Sequence, residues 1–396
     1  MRADKPVLLM AGAGYADIPL IQAGRALGFR VVTSGNRASD LGHRYSHECR
    51  LADFSDPQAI LAIARDIGAR AVCACCNDFS ALSCAYVAEQ LGLPGHDPLA
   101  VAQTVHHKDR YRAFALANEI PSPQARGFDT TSAALSGMES LRFPVIVKPV
   151  DLTGGKGVSV AATPAQAERS IRRAFAISRS RRIVIEEFIT GSRHGITTFI
   201  RGGVVVFHFH DDEYYHQNPY LVSAASAPGR SPETAVRTLV ATIERIAGLL
   251  RLVDGIVHVQ YILTADGSPV IIEICRRAPG DLYVKLVSHA TGIDYGNYIV
   301  RASAGLDSDD LTQRPPRGCW TRYCVMAPTN GVVRDVRFDP LIRALVADQL
   351  MWWKPGDRID DYRNQKLGIV FLRFDSVARM RSVTEELPAL IKVVLE

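Results

Sequence analysis

The first hundred residues alternate two hydrophobic periods. "PVLLMAGAG" predicts a strand, "DIPLIQAGRALG" a helix and "FRVVTSGN" a second strand. "DPQAILAIARDIG" again has helical spacing, "ARAVCACCND" reads as a buried strand, and "FSALSCAYVAEQLG" as a helix. This order predicts a parallel sheet with helices on both faces. "LPGHDPLAVAQTVHHKDRYRAFALANEIPSP" then interrupts the pattern with proline-rich loops around a basic helix. Beyond it, strands are predicted at 144–148, 157–161, 183–187, 195–201, 203–210, 256–263 and 269–275, and helices at 108–118, 164–177 and 231–251. That is an α+β pattern. "LDSDDLTQRPPRG" has the composition of a linker, and 317–396 mixes short strands with a closing helix. The fold class expected is an α/β parallel-sheet domain (1–103), an α+β domain (104–312, with a small lobe about 110–190) and a small mixed C-terminal domain (313–396).

Composition narrows the class of molecule. With 396 residues, 47% hydrophobic and 22% charged, the chain is an ordinary globular protein large enough for two or three cores. A net charge of +5 is small for this length and gives no case for nucleic acid. The arginine run "RSIRRAFAISRSRR" has helical spacing and few aromatics, which predicts a solvated helix. The N-terminus lacks the plan of a signal peptide, and no stretch approaches the ~20 apolar residues of a membrane span. Eight cysteines without regular spacing fit a reduced, cytoplasmic setting, and Cys73, Cys75 and Cys76 read as small core side chains.

The candidate chemistry starts at "FPVIVKPVDLTGGKGVSVA", where glycines stand beside a lysine. It is not a Walker A loop, because Val150 stands where the first glycine is required and Gly157 follows Lys156. "AGAGYADIP" is not a dinucleotide fingerprint either: Asp17 takes the third glycine position, so a structural turn is expected there.

Read together, Lys108 at the start of a helix, Lys148 at the end of a strand, the "TGGKGV" hairpin, the acids of "IVIEEFITG" and the paired strands of "VHVQYILTADGSPVIIEICRRAPGD" resemble the ATP-grasp superfamily over about residues 1–310. The N-terminal part resembles the pre-ATP-grasp domain of biotin carboxylase and its relatives, and the C-terminal stretch their closing domain. No biotin-attachment motif is present, so the shorter carboxylate–amine ligases are the nearer match. The resemblance implies ATP held between two lobes by Lys108, Lys148, Gly154, Gly155, Lys156 and Gly157, with the adenine amino group on Glu186 and the rest of the base on the hinge from Glu187 to Ile189. Arg193 stands where relatives carry an acid. Mg2+ (or Mn2+) is implied at Glu273 with Gln260 and Cys275, in place of a second acid and an asparagine, and thiolate suits magnesium poorly. Arg277, with Lys148, falls at catalytic positions, and Arg276 and Asp281 at substrate positions.

"FHFHDDEYYHQNPYLVSAASAPG" is the expected substrate loop, with His210 and Asp211 as contacts. Strand alternation puts His208 and His210 on one face and Phe207 and Phe209 on the other, and a lid explains this segment without zinc. His258 points to the same strand face as Gln260. The resemblance implies an ATP-dependent ligase acting on a small-molecule carboxylate and amine (an amino acid or small peptide among them), with no nucleic-acid or membrane partner and with a homodimer left open. Two alternatives stay open: another ATP-grasp activity such as bicarbonate-dependent carboxylation, and a nucleotide-binding regulatory protein with weakened catalysis.

Overall fold

The structure, a computed structural model, describes residues 5–152 and 154–396. Thr153, the first residue of "TGGKGV", lies outside the described residues. The N-terminal strands form a parallel sheet in the order Glu48–Cys49, Arg30–Ser34, Val7–Ala11, Ala71–Ala74. Because side chains alternate along a strand, Leu8 and Met10 pack with Leu20 and Ile21 on one face. Val7 and Leu9 pack with Ile60, Leu61 and Val87 on the other. Both faces are therefore covered, as the near-continuous apolar strands require.

The second sheet has four antiparallel strands in the order Ala125–Phe128, Ile183–Glu187, Val145–Pro149, Ser159–Ala161, with the helix Pro164–Ile177 against it. The largest sheet has eight strands and is antiparallel: Pro269–Cys275, Gly255–Leu263, Ser192–Arg201, Val204–Tyr214, Ala224–Ala227, Cys319–Met326, Lys366–Phe374, Val346–Met351. Its last three strands come from the C-terminal stretch. The expected division at 312/313 is thus a break in the chain, where 312–317 has no regular structure, but not a break in the sheet. The division at 103/104 falls inside the helix Leu99–His106.

One strand outruns its expected end. The segment 211–214, expected in a substrate loop, continues the strand Val204–Tyr214, because its acids find partners inside the fold. Asp211 accepts from the Tyr283 hydroxyl, and Asp212 lies 2.9 Å from His194 and 3.0 Å from Arg230. Among the described residues, no helix is long and apolar enough to cross a membrane.

Candidate functional site

Two adjoining clefts lie between the sheets. The smaller, about 120 Å³, lies between the four-stranded and eight-stranded sheets and is lined by Lys108, Lys148, Glu186 to Ile189, Arg193, Tyr215, Gln260 and Glu273. The larger, about 430 Å³, is walled by Gly12 to Asp17 and Cys75 to Asn77 of the N-terminal domain, by Glu213, His258, Gln260, Glu273 and Arg277 of the large sheet, and by Arg322 and Lys366 from the C-terminal strands. Gly154, Gly155, Tyr220, Gln260 and Glu273 line both.

In the smaller cleft Lys148 Nζ donates to Glu186 Oε2 at 2.7 Å, across paired strands. The other oxygen of Glu186 accepts from Arg112 Nε at 2.9 Å. Both carboxylate oxygens are therefore engaged, which revises the expectation that Glu186 stands open to an adenine amino group. Burial alone pushes this carboxyl up, but Arg112 and Lys148 overcome it and hold the group down at about 2. Burial also lowers Lys148, partly against the pull of Glu186. Lys108 reaches the carbonyl of Leu152 at 3.1 Å and lies 3.8 Å from Glu273.

The glycine turn closes on Tyr220. Gly155 sits at φ +72, and a Cβ there would come within 2.5 Å of Tyr220 Cβ, so only glycine permits this approach. Lys156 and Gly157 do not reach either cleft. They line a separate cavity with Arg173, Asn218 and Arg363, because the turn carries the Lys156 side chain outward. This differs from the nucleotide contact expected of them.

At the junction of the clefts, Gln260 and Glu273 are opposite one another on antiparallel strands. Gln260 Nε2 donates to Glu213 Oε1 at 2.7 Å, which leaves the amide oxygen of Gln260 for the cleft. A carboxylate and an amide oxygen suit a hard divalent cation. Cys275 does not: burial pushes its thiol up to about 12, so no thiolate is offered, and its Sγ lies against the carbonyl of Arg277. The donor set that fits is Glu273 with Gln260. Among the described residues no group of three or more His, Cys, Asp and Glu is gathered to hold a metal ion by itself, so phosphate and water would complete the shell.

The two arginines after this strand part company, as successive residues of extended chain do. Arg277 lines the larger cleft and pairs with Asp78 at 2.9 Å. Arg276 turns away, into Asp97 at 2.8 Å and the carbonyls of Ile256 and Val253, so it is a buried link to the N-terminal domain and not a substrate contact. Asp281 does line the larger cleft but is already neutralised. Lys366 Nζ lies 2.5 Å and the Tyr15 hydroxyl 2.6 Å from its Oδ1, with Arg322 at 3.5 Å. Burial raises this carboxyl, yet Lys366 and Arg322 bring it to about 2. It stands on the cleft expected for a substrate position, but its carboxylate is paired within the protein.

The expected contacts His210 and Asp211 also fall elsewhere. His210 is on the strand face opposite Glu213, beside Gly229, and Asp211 is fully buried beneath Tyr283. Glu213, two residues on, is the acid of this strand that faces the cleft. Sequence reasoning missed it, together with Tyr15, Arg112, Arg322 and Lys366. The arginine within the apolar run "CWTRYCVM" was a usable signal, since a buried charge on a strand needs a reason. The "GAGY" turn, expected to be structural, forms a wall of the larger cleft.

Residues 106–217 match the family described as phosphoribosylglycinamide synthetase, ATP-grasp (A) domain. A phosphoribosylamine–glycine ligase from Thermococcus gammatolerans is 30% identical over 238 residues, 53% of this chain and 54% of that protein. The chain spans about half the length of the curated relatives it matches. Among solved structures, an L-amino acid ligase from Bacillus licheniformis superposes with a TM-score of 0.83 at 20% identity, covering 100% of both chains. The biotin carboxylase domain of a Hydrogenobacter thermophilus 2-oxoglutarate carboxylase, in complex with MgADP and bicarbonate, superposes with a TM-score of 0.79 at 15% identity, covering 100% of this chain and 92% of that one.

Proposed function

We propose, from the match of residues 106–217 to an ATP-grasp domain family, that this chain is an ATP-dependent ligase that activates a small-molecule carboxylate as an acyl phosphate and couples it to an amine. The observation that carries this reading is the meeting of the two clefts at Glu273, Gln260 and the turn Gly154–Gly155, with lysines on one side and Arg277 and Arg322 on the other. In this reading ATP occupies the smaller cleft, and the carboxylate and amine occupy the larger. The working divisions are the N-terminal parallel-sheet domain, the ATP-grasp domain with its small lobe, and the C-terminal strands that complete the large sheet.

Lys148 and Lys108 neutralise phosphate oxygens as point charges, and the backbone of Glu187 to Ile189 borders the base. A substrate carboxylate oxygen attacks the γ-phosphorus as the bond to the departing ADP oxygen breaks. The amine nitrogen then bonds to the acyl carbon, inorganic phosphate leaves with one former carboxylate oxygen, and the amine releases its proton. Arg277 stands at the junction, where charge spreads over the transferred group. Mg2+, or Mn2+, held by Glu273 and Gln260 would supply further neutralisation of the phosphates. Closure of Gly155 on Tyr220 keeps water from the acyl phosphate.

An amino acid or small peptide as one substrate, and a cytoplasmic setting, complete the proposal. It is tested by screening pooled amino acids and small carboxylates for ATP-dependent phosphate release, with mass spectrometry of products. A new amide mass that appears with phosphate supports ligation, whereas phosphate release that requires bicarbonate marks a carboxylation instead. No turnover with any pool, despite tight ATP binding, favours a nucleotide-binding regulator.

A further inference from the structure

Arg112 is 4% exposed, belongs to the helix Lys108–Ala117, and makes bonds to two other elements. Its Nε and Nη2 approach the two oxygens of Glu186 at 2.9 and 3.4 Å, on the hinge strand of the small lobe. Nη2 also donates at 2.6 Å to the carbonyl of Ile272, the residue before Glu273 in the large sheet. The same helix begins at Lys108, which lies 3.8 Å from Glu273. One guanidinium thus links the three elements that carry Lys108, Glu186 and Glu273, and Glu186 in turn holds Lys148. We infer that Arg112 is a positioning residue of the nucleotide cleft, fixing the Lys148–Glu186 pair against the strand that bears Glu273. The inference rests on the reading of the smaller cleft as the nucleotide site.

Geometry explains why an arginine is required. Only a planar fork with several N–H groups can serve a carboxylate and a carbonyl from different strands at once, and an ammonium on a shorter reach cannot. Glu186 is 1% exposed and receives both Arg112 and Lys148, so the position of Lys148 Nζ depends on where Arg112 holds that carboxylate. The charged groups that act on Lys148 are Glu186, Arg112 and Lys108. Of these, the two cations make the lysine easier to deprotonate, and Glu186 makes it harder.

The test is ADP binding without metal, measured by calorimetry across pH on the whole chain, in Arg112→Lys and in Arg112→Gln/Glu186→Gln. The double variant removes one charge of each sign, so the net charge of the Arg112–Glu186–Lys148 cluster is unchanged. Arg112→Lys, folded by circular dichroism, should bind ADP about tenfold more weakly. That loss should largely disappear when the substitution is made in a Lys148→Ala background, because the effect is transmitted through Lys148. In the double variant Lys148 loses its carboxylate partner, and the alkaline limb of ADP affinity should move to lower pH. A purely structural arginine would instead give losses that add to Lys148→Ala; an alkaline limb left in place would show that the Lys148–Glu186 pair does not act on the nucleotide, and either result overturns the inference. If the unaltered chain fails to bind ADP at all, the nucleotide reading of the cleft falls first. If it binds, and both variants bind equally well with the same pH profile, only the role of Arg112 falls.

Discussion

Gln260 donates its side-chain amide hydrogen to Glu213 at 2.7 Å, so the glutamine that replaces an acid in the resemblance to ATP-grasp ligases is held by an acid from the neighbouring region of the sheet. Glu213 also accepts from the Tyr215 hydroxyl at 2.5 Å. The amide is therefore fixed with its oxygen toward the junction of the two clefts. A glutamate at 260 would instead set two carboxylates against each other.

The first prediction concerns that pair. Gln260→Glu alone should destabilise the fold by about 1–3 kcal/mol, through lost hydrogen bonding and like-charge contact. The exchange Gln260→Glu/Glu213→Gln restores a donor and an acceptor and should recover the melting temperature, while tightening magnesium in an ADP titration. Equal melting temperatures for Gln260→Glu and the exchange would show that the contact with Glu213 is not what fixes residue 260.

Glu273 is the carboxylate of the donor set. Glu273→Gln should abolish magnesium-dependent turnover while metal-free ADP still binds through the lysines. Cys275→Asn should be tolerated, since its thiol is protonated and an amide oxygen is the better ligand for a hard cation. Magnesium titrations of turnover in both variants decide the matter, and near-normal turnover in Glu273→Gln places the metal elsewhere.

Lys148 should matter for the nucleotide. Lys148→Ala is expected to weaken ATP binding at least tenfold, a loss of about 1.4 kcal/mol. Unchanged affinity in a folded variant, measured by calorimetry, removes Lys148 from the site.

Acid should loosen the molecule at two places together. Glu186 and Asp281 are each held at about 2, below ordinary values of 4.5 and 3.8, by cations that outweigh burial. A depressed carboxyl stabilises the fold above its unfolded pKa and loses that contribution as pH falls through the folded one, so the loss should run from about pH 4.5 to 2. Glu186 alone accounts for on the order of 3 kcal/mol at neutral pH, as an upper limit. Urea unfolding of Glu186→Gln across that range should show a shallower decline than the unaltered chain.

Much of the architecture was legible because periodicity is local. The helix 164–177 and the strand 183–187 emerge with the bounds that spacing predicts. The strand Val204–Tyr214 outran its expected end because Asp211 and Asp212 find partners at Tyr283, His194 and Arg230, which are remote in sequence. The C-terminal strands read as a separate domain for the same reason, since nothing local says that Cys319–Met326 pairs with Ala224–Ala227. At the site, Lys108, Lys148, Gln260, Glu273 and Arg277 were implied by the resemblance, and the structure gathers them around the two adjoining clefts. Arg276, Asp281, His210 and Lys156 were visible too, but their direction depends on partners such as Asp97 and Lys366 that spacing does not disclose. Arg112 and Arg322 went unnoticed because their reason for burial is another segment's carboxylate.

The proposed reaction turns on an acyl phosphate, and isotope transfer tests it most directly. Once a carboxylate substrate is identified, it is supplied with both oxygens as oxygen-18, and the inorganic phosphate released during ligation is analysed by mass spectrometry. Each turnover should deliver one label to phosphate and leave the other in the amide. Full ligation with unlabelled phosphate would contradict the mechanism, because the carboxylate oxygen would then never have been bonded to phosphorus.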